Sequence, residues 1–302
     1  MLNRLKQLWS QASANQTLQK ASQTELLTSL AVMAWFVEAK DPYTGGHLWR
    51  VSQYAKLMAK HERFSAADTA RIGLGGFLHD LGKVSIADHI LGKPERLSEE
   101  EFDIMKTHPS NGARLLAAHP LSDLVIKAVE LHHERPDGKG YPHGLTHAAI
   151  PVEAAIVGVA DAFDAMTSTR PYSSPKSKTK ALSILKENAG QQFNARWVNV
   201  MHALDEQQLL DEVLMHSDDG IPLHECPSCG PVVTQASDAN INDLIACPLC
   251  NAEMKLLKEH SHWIAKPTGH YVSPSANQPK EDTAMIKRFI EQTVAPLNEA
   301  TY

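Results

Sequence analysis

The sequence lacks most of what marks membrane, secreted and nucleic-acid-binding proteins. Its longest early apolar run, Leu30–Val37, is far short of the roughly 20 residues of a membrane-spanning helix, so no membrane span is expected. The opening residues, Met1-Leu2-Asn3-Arg4-Leu5-Lys6, carry no apolar signal-peptide core. Positive charge is not in surplus: the formal net charge is −6, which argues against a general nucleic-acid or anionic-membrane binder. Cysteine is scarce, with four residues all between Cys226 and Cys250, too few and too confined for a disulfide framework. These absences together place the expected protein in the reducing cytoplasm. No sustained two-residue alternation precedes residue 220, which excludes an extended sheet from that part of the chain.

What remains is helical. At 302 residues and 43% hydrophobic content, the chain can bury one large core and a small second module. Apolar residues recur at helical spacing from residue 22 to residue 210, so an all-α bundle is expected there. A polar segment, 1–21, with a stripe of Leu2, Leu5, Leu8 and Trp9, reads as a helical extension suited to dimer packing. It is too short for a receiver or sensor domain, which leaves regulation to a partner, oligomerisation, metal state or the C-terminal module. A small β module is expected over 220–258. The proline-bearing remainder, 259–302, reads as a flexible tail with one helical stretch over 283–294.

Sixteen histidines are many for this length, and several sit beside carboxylates. His47 opens a helix after the break Asp41–Gly46. His79 and Asp80 end the helix over 66–78, and Lys83 follows one turn later. Ser98 and Glu101 have the spacing of a capping box, and the helix they start stops near His108-Pro109. His132 and His133 close an apolar run over 121–133 and lead into a Pro/Gly loop, Pro136 to Pro142. A nearly all-apolar helix then opens at Pro151 and carries Asp161 and Asp164. An unpartnered buried carboxylate costs several kcal/mol, so Asp161 reads as a metal ligand, and Asp164 pairs with substrate or with Arg170. Seven N/O ligands (His47, His79, Asp80, His108, His132, His133, Asp161) suffice for two divalent transition metals bridged by Asp80. Such ligands suit Fe, Mn, Ni or Zn without choosing among them.

These motifs resemble the HD-GYP family of cyclic dinucleotide phosphodiesterases. The likeness rests on His79-Asp80-Leu81-Gly82-Lys83, Met105–Pro109, His132–Arg135, Asp137–Pro142 and Val159–Ser168, with Arg170-Pro171-Tyr172 beyond. It covers roughly residues 22–205. The resemblance implies an HD-domain helical bundle in which His47, His79, Asp80 and Asp161 hold one metal. Asp80, His108, His132 and His133 hold the other, Fe or Mn in the first place. Lys83 and Asp80 would act in catalysis; Asp137 and Gly138 would shape the substrate loop; Tyr141, Asp164 and Arg170 would contact the dinucleotide. The implied reaction is hydroxide attack on a 3′,5′-phosphodiester, turning cyclic di-GMP into linear pGpG, with onward cleavage to GMP within the family's range. The chain departs from the family at Tyr43, where members with a third metal carry glutamate, and at Ser173, where Lys or Arg is frequent. The first departure implies a two-metal site; the second leaves cyclic GMP-AMP as an alternative substrate. A non-hydrolysing module that binds a cyclic dinucleotide or a signalling protein is the rival reading.

The cysteines form two CxxC pairs, Cys226/Cys229 and Cys247/Cys250, with seventeen residues between them. That spacing is expected to hold one structural zinc in a ribbon whose strands include 232–234 and 254–257. The intervening segment has no Lys or Arg, so a stabilising or protein-contact role is expected in place of nucleic-acid binding.

Overall fold

The computed structural model describes residues 2–41, 43–169 and 174–299. The expected helical bundle is there. Its helices are α1 (Leu2–Ala39), α2 (His47–His61), α3 (Ala66–Leu78), α4 (Asp88–Leu91), α5 (Glu99–Met105), α6 (His108–Leu116), α7 (Ile126–Leu131), α8 (Val152–Thr167), α9 (Lys178–Glu187) and α10 (Ala195–Glu206). Helices α2, α3 and α8 form the centre, where Val51, Tyr54, Leu74, Phe77, Val159 and Phe163 are fully buried. The Tyr54 and Phe163 rings meet edge to face at 5.1 Å, a preferred aromatic geometry. None of the helices is long and apolar enough to cross a membrane.

Several local readings hold. Ser98 caps α5 with both hydrogen bonds of a capping box in place. Pro151 stands at the N-cap of α8, and His47 is the first residue of α2. Others change. The chain does not break near residue 21: α1 runs through it, because nothing between Leu2 and Ala39 is a helix breaker. Pro109 does not end a helix but starts α6 beside His108, where its missing N–H costs nothing. The run over 121–133 divides into a 3-10 turn, Ser122–Leu124, and the short α7, with His132 as the C-cap of α7.

After α10 come strands β1 (His216–Asp218), β2 (Ile221–Pro222), β3 (His224–Cys226), β4 (Gly230–Val233), β5 (Leu244–Ala246), β6 (Ala252–Glu259) and β7 (His262–Tyr271). They pair antiparallel as β1-β2, β3-β4 and β5-β6-β7. Along β6, Ala252, Met254 and Leu256 are buried in strict alternation, the two-residue period of a strand with one covered face. The module extends past residue 258, because β7 pairs with β6 along most of its length.

The stretch 259–299 is therefore not a flexible tail. Besides β7 it contains α11 (Thr283–Glu299), which lies against α3 and α1. Met285, Ile286, Phe289 and Ile290 recur at helical spacing and are buried; the Phe289 ring stacks on Phe77 at 4.3 Å. The amphipathic pattern was present in the sequence, but its partner face lies more than two hundred residues earlier.

Candidate metal centre

The seven proposed ligands come from five separate places and arrive at one. The first turn of α2 brings His47, the end of α3 brings His79 and Asp80, and α6 opens with His108. The end of α7 brings His132 and His133, and α8 brings Asp161. Two close backbone approaches make this convergence possible. A side chain at Gly82 would lie 1.8 Å from the His108 carbonyl oxygen, so the turn after Asp80 can press on α6 only as glycine. At Gly158 a Cβ would lie 2.4 Å from the His132 carbonyl oxygen, which sets how near α8 comes to the histidine pair.

Asp80 stands between two groups. Its Oδ2 lies 3.7 Å from His47 Nε2 and 3.4 Å from His79 Nε2. Its Oδ1 lies 3.3 Å from His108 Nε2. Asp161 Oδ1 completes the first group, 3.4 Å from His47 Nε2 and 3.8 Å from His79 Nε2. His108, His132 and His133 form the second group, with ligand atoms within 4.8 Å of one another. These separations are those of donors sharing an ion at about 2.0–2.2 Å.

The second ring nitrogen of four histidines is already committed. Nδ1 of His79 bonds Gly76 O (2.8 Å), Nδ1 of His108 bonds Met105 O (2.8 Å) and Nδ1 of His132 bonds Val129 O (2.9 Å). A carbonyl only accepts, so each Nδ1 carries the hydrogen and each Nε2 keeps its lone pair for the centre. His47 Nδ1 bonds Asp164 Oδ2 at 2.7 Å, the carboxylate–imidazole arrangement that fixes a metal ligand. The buried Nε2 of His79 has no hydrogen-bond partner among the described residues.

Electrostatics agree. Burial, above all, lowers the pKa of His79, His108, His132 and His133, to about 3 for His108 and about 4 for His133. All four are neutral donors at pH 7. Burial alone would raise Asp80 and Asp161, but Lys83 beside Asp80 and the surrounding imidazoles hold both carboxylates low and ionised. Neutral imidazoles, ionised carboxylates and a buried bare Nε2 fit a pair of divalent cations.

Some site residues take roles the sequence did not suggest. Asp164, expected at the dinucleotide, is 0% exposed and receives hydrogen bonds from Arg50 Nε (2.6 Å) and Nη2 (3.1 Å) as well as facing His47. Arg50, 1% exposed, was missed altogether. The available signal was its place one turn after His47 on an otherwise apolar face. Asp137 and Gly138 belong to the loop itself: Asp137 accepts from Arg135 (3.1 and 2.7 Å) and Lys139 N, and Gly138 N donates to Arg135 O. Glu134, also missed, closes the loop by accepting from His143 N and Leu145 N, each at 2.7 Å. Tyr43 turns away from the centre and packs on the cysteine module. Arg170 and Ser173 lie outside the described residues.

The centre opens into a cleft with two lobes. One, about 640 Å³, is lined by Asp80, Lys83, Lys93, Arg96 and His108; the other, about 450 Å³, by His132, Lys106, Arg135, Lys139 and Phe193. His133, Tyr141, Asp161 and Phe102 border both. The Tyr141 ring lies 4.7 Å from that of His133.

An HD domain profile matches residues 31–196, more than half of the chain. The chain belongs to the HD domain family. Its HD domain is similar to three curated proteins. The "Cyclic di-GMP phosphodiesterase response regulator RpfG" of Xanthomonas campestris pv. campestris is 38% identical over 192 residues, 63% of this chain and 50% of that protein. A "Cyclic di-GMP phosphodiesterase" of Thermotoga maritima is 36% identical over 184 residues, 60% of this chain and 50% of that protein. The "3'3'-cGAMP-specific phosphodiesterase 3" of Vibrio cholerae is 36% identical over 152 residues, 50% of this chain and 33% of that protein. The chain thus spans half or less of the length of these curated relatives.

The second cluster lies outside the HD domain match. Cys226, Cys229, Cys247 and Cys250 bring their sulfurs within 4.8 Å of one another, each pair at the turn between two strands (β3/β4 and β5/β6). Cys226 and Cys250 sulfurs are 3.6 Å apart, too far for a disulfide and close to the edge of a tetrahedron with 2.3 Å metal–sulfur bonds. Burial and neighbouring sulfurs push the Cys229 and Cys247 thiols up, Cys247 to about 11, while the Ala252 backbone N–H and neighbouring sulfurs hold Cys250 below its ordinary value; a cation bound here would favour thiolates at the two raised positions.

Proposed function

We propose that this protein is a metal-dependent phosphodiesterase that hydrolyses cyclic di-GMP to linear pGpG. The observation that carries the reading is the bridging position of Asp80 between two ligand groups, on the wall of one lobe of a cleft whose two lobes meet at His133 and Asp161. Divalent ions held there, Fe or Mn by the family resemblance, would supply an activated water and a clamp for the two oxygens of an in-line phosphoryl displacement. The chain's own groups do the rest. Asp80 is steadied by Lys83 Nζ at 2.6 Å, and that ammonium offsets charge growing on the scissile phosphate. Arg96 in one lobe and Lys139 in the other line the cleft where the second phosphate and the ribose arms would lie, with Lys93, Lys106 and Arg135 beside them already paired to Glu101, Asp103 and Asp137. Phe102, Tyr141 and Phe193 offer ring faces to the bases. Tyr43 points to the cysteine module and supplies no further carboxylate, which supports a two-metal site and a reaction ending at pGpG.

A second reading, cyclic GMP-AMP as substrate, is favoured by the likeness to the cGAMP-specific protein of V. cholerae. Incubating Mn- or Fe-loaded protein with each dinucleotide and resolving the products by chromatography separates the two. The expected result is pGpG from cyclic di-GMP with slower consumption of cyclic GMP-AMP. The reverse order selects the second reading; no turnover of either with either metal leaves a binding module. The cysteine cluster is assigned one structural zinc.

A further inference from the structure

An open cavity of about 670 Å³ lies between α2, α11 and the segment after α10, with Leu57, Phe64, Leu209 and Val213 among its walls. It shares no lining residue with either lobe of the metal cleft. Lys56 of α2 lines it at only 9% exposure. The stem of this lysine lies flat on α3: a Cβ at Gly73 would stand 2.4 Å from its Cε and 2.5 Å from its Cγ. Its Nζ ends 4.6 Å from the centroid of the Phe289 ring, a cation–π contact, and that ring borders the same cavity. Among the described residues no carboxylate or other acceptor bonds the Lys56 nitrogen, yet that atom keeps accessible surface. The charged groups around the cavity are Lys60, Glu212, Asp219 and the Arg288–Asp218 pair. Of these, only Lys60 acts appreciably on Lys56, and it is a like charge.

Burial above all, and Lys60 after it, lowers the Lys56 pKa to about 8. Near that pH about half of the side chain is neutral amine, against less than about 1% for an ordinary lysine, which is how a desolvated lysine becomes a nucleophile. We propose that Lys56 is an N-acylation site, reached through this cavity by small acyl phosphates. The amine lone pair attacks the acyl carbon and forms the C–N bond. The bond from that carbon to the phosphate oxygen breaks, phosphate leaves with the electron pair, and the proton shed by nitrogen passes to water. The product is a neutral amide, which suits a place where an ammonium finds no acceptor. Acylation would also withdraw the charge from the Phe289 ring and so alter the contact between α2 and α11. The site does not depend on the reaction proposed at the metals.

Timed incubation of the full chain with acetyl phosphate, followed by peptide mass mapping, tests the assignment with exposed Lys60 as the internal reference. A weaker base is also a weaker nucleophile, so part of the gain in neutral amine is given back. At about pH 8 Lys56 should still be acetylated at least threefold faster than Lys60 in the folded chain. Its rate should level off above that pH, because the amine is then mostly deprotonated. In concentrated urea, where burial and the Phe289 contact are gone, the lead over Lys60 should vanish. Acetylation of Lys56 no faster than of Lys60, a lead that persists in urea, or a Lys56 rate that still climbs beyond about pH 9 overturns the proposal.

Discussion

The two ligand clusters of this protein are built on opposite principles. The cysteine cluster is local: two CxxC turns, each closing one strand pair, meet across a small sheet. The histidine–carboxylate centre is distributed: its seven residues come from five places between His47 and Asp161, and only packing of the bundle unites them. The difference shows in their electrostatics. Burial lowers the imidazoles, which stand as neutral donors, whereas two of the thiols, Cys229 and Cys247, are pushed up and would need a bound cation to lose their protons. One centre is preformed by the fold; the other needs its ion to complete the charge balance.

The sharpest way to break that contrast is Asp80→Ala. It removes the bridge between both ligand groups, so the variant should lose the catalytic metals and all turnover while keeping its cysteine-bound zinc. Metal counting by plasma mass spectrometry checks this; retained activity would refute the bridging role. Next comes Cys226→Ser, which should release one zinc per chain and loosen the β module, with cyclic dinucleotide turnover largely kept. An unchanged zinc count would sink the structural-zinc assignment.

Arg50→Met tests whether the distributed centre rests on buried charge. It leaves Asp164 buried beside His47 without its cation, and breaking such a pair costs about 3–5 kcal/mol. Chemical denaturation of the metal-free protein should show that loss. Loss below about 1 kcal/mol would mean that Asp164 finds another partner.

The most gradual effect is on pH. For His108 and His133 the folded pKa lies below the ordinary 6.5, at about 3 and about 4. Below pH 6.5 the unfolded chain takes up protons that the folded chain refuses, so their contribution is whole above pH 6.5 and shrinks toward pH 4 and 3. The slope is about 1.4 kcal/mol per pH unit for each histidine at most. Raised thiols such as Cys247 stay protonated throughout this window and add no slope. Acid titration of the metal-free protein should therefore destabilise the helical unit first; a flat profile from pH 7 to 4 would contradict the burial argument.

Much of this was legible beforehand. The capping box at Ser98, the helix start at His47 and the CxxC pairs are signals whose physics acts within a few residues, and the structure has each where the sequence put it. The seven candidate ligands were also legible, because chemically demanding residues sat at helix ends and inside an apolar helix; the structure brings them together. The fate of 259–299 was not. β7 and α11 have the right periodicities, but whether they pack depends on whether β6 and the Phe77 face are vacant, and no local window contains that fact.

The sequence by itself determined which atoms could bind metal, since donor chemistry belongs to residue type. Only the tertiary structure decided which nitrogen of His47, His79, His108 and His132 faces inward, because that follows from where Nδ1 finds a carbonyl or carboxylate. It also moved Asp164 from substrate to support. A carboxylate's role is set by which cation reaches it first, and in the folded chain that is Arg50.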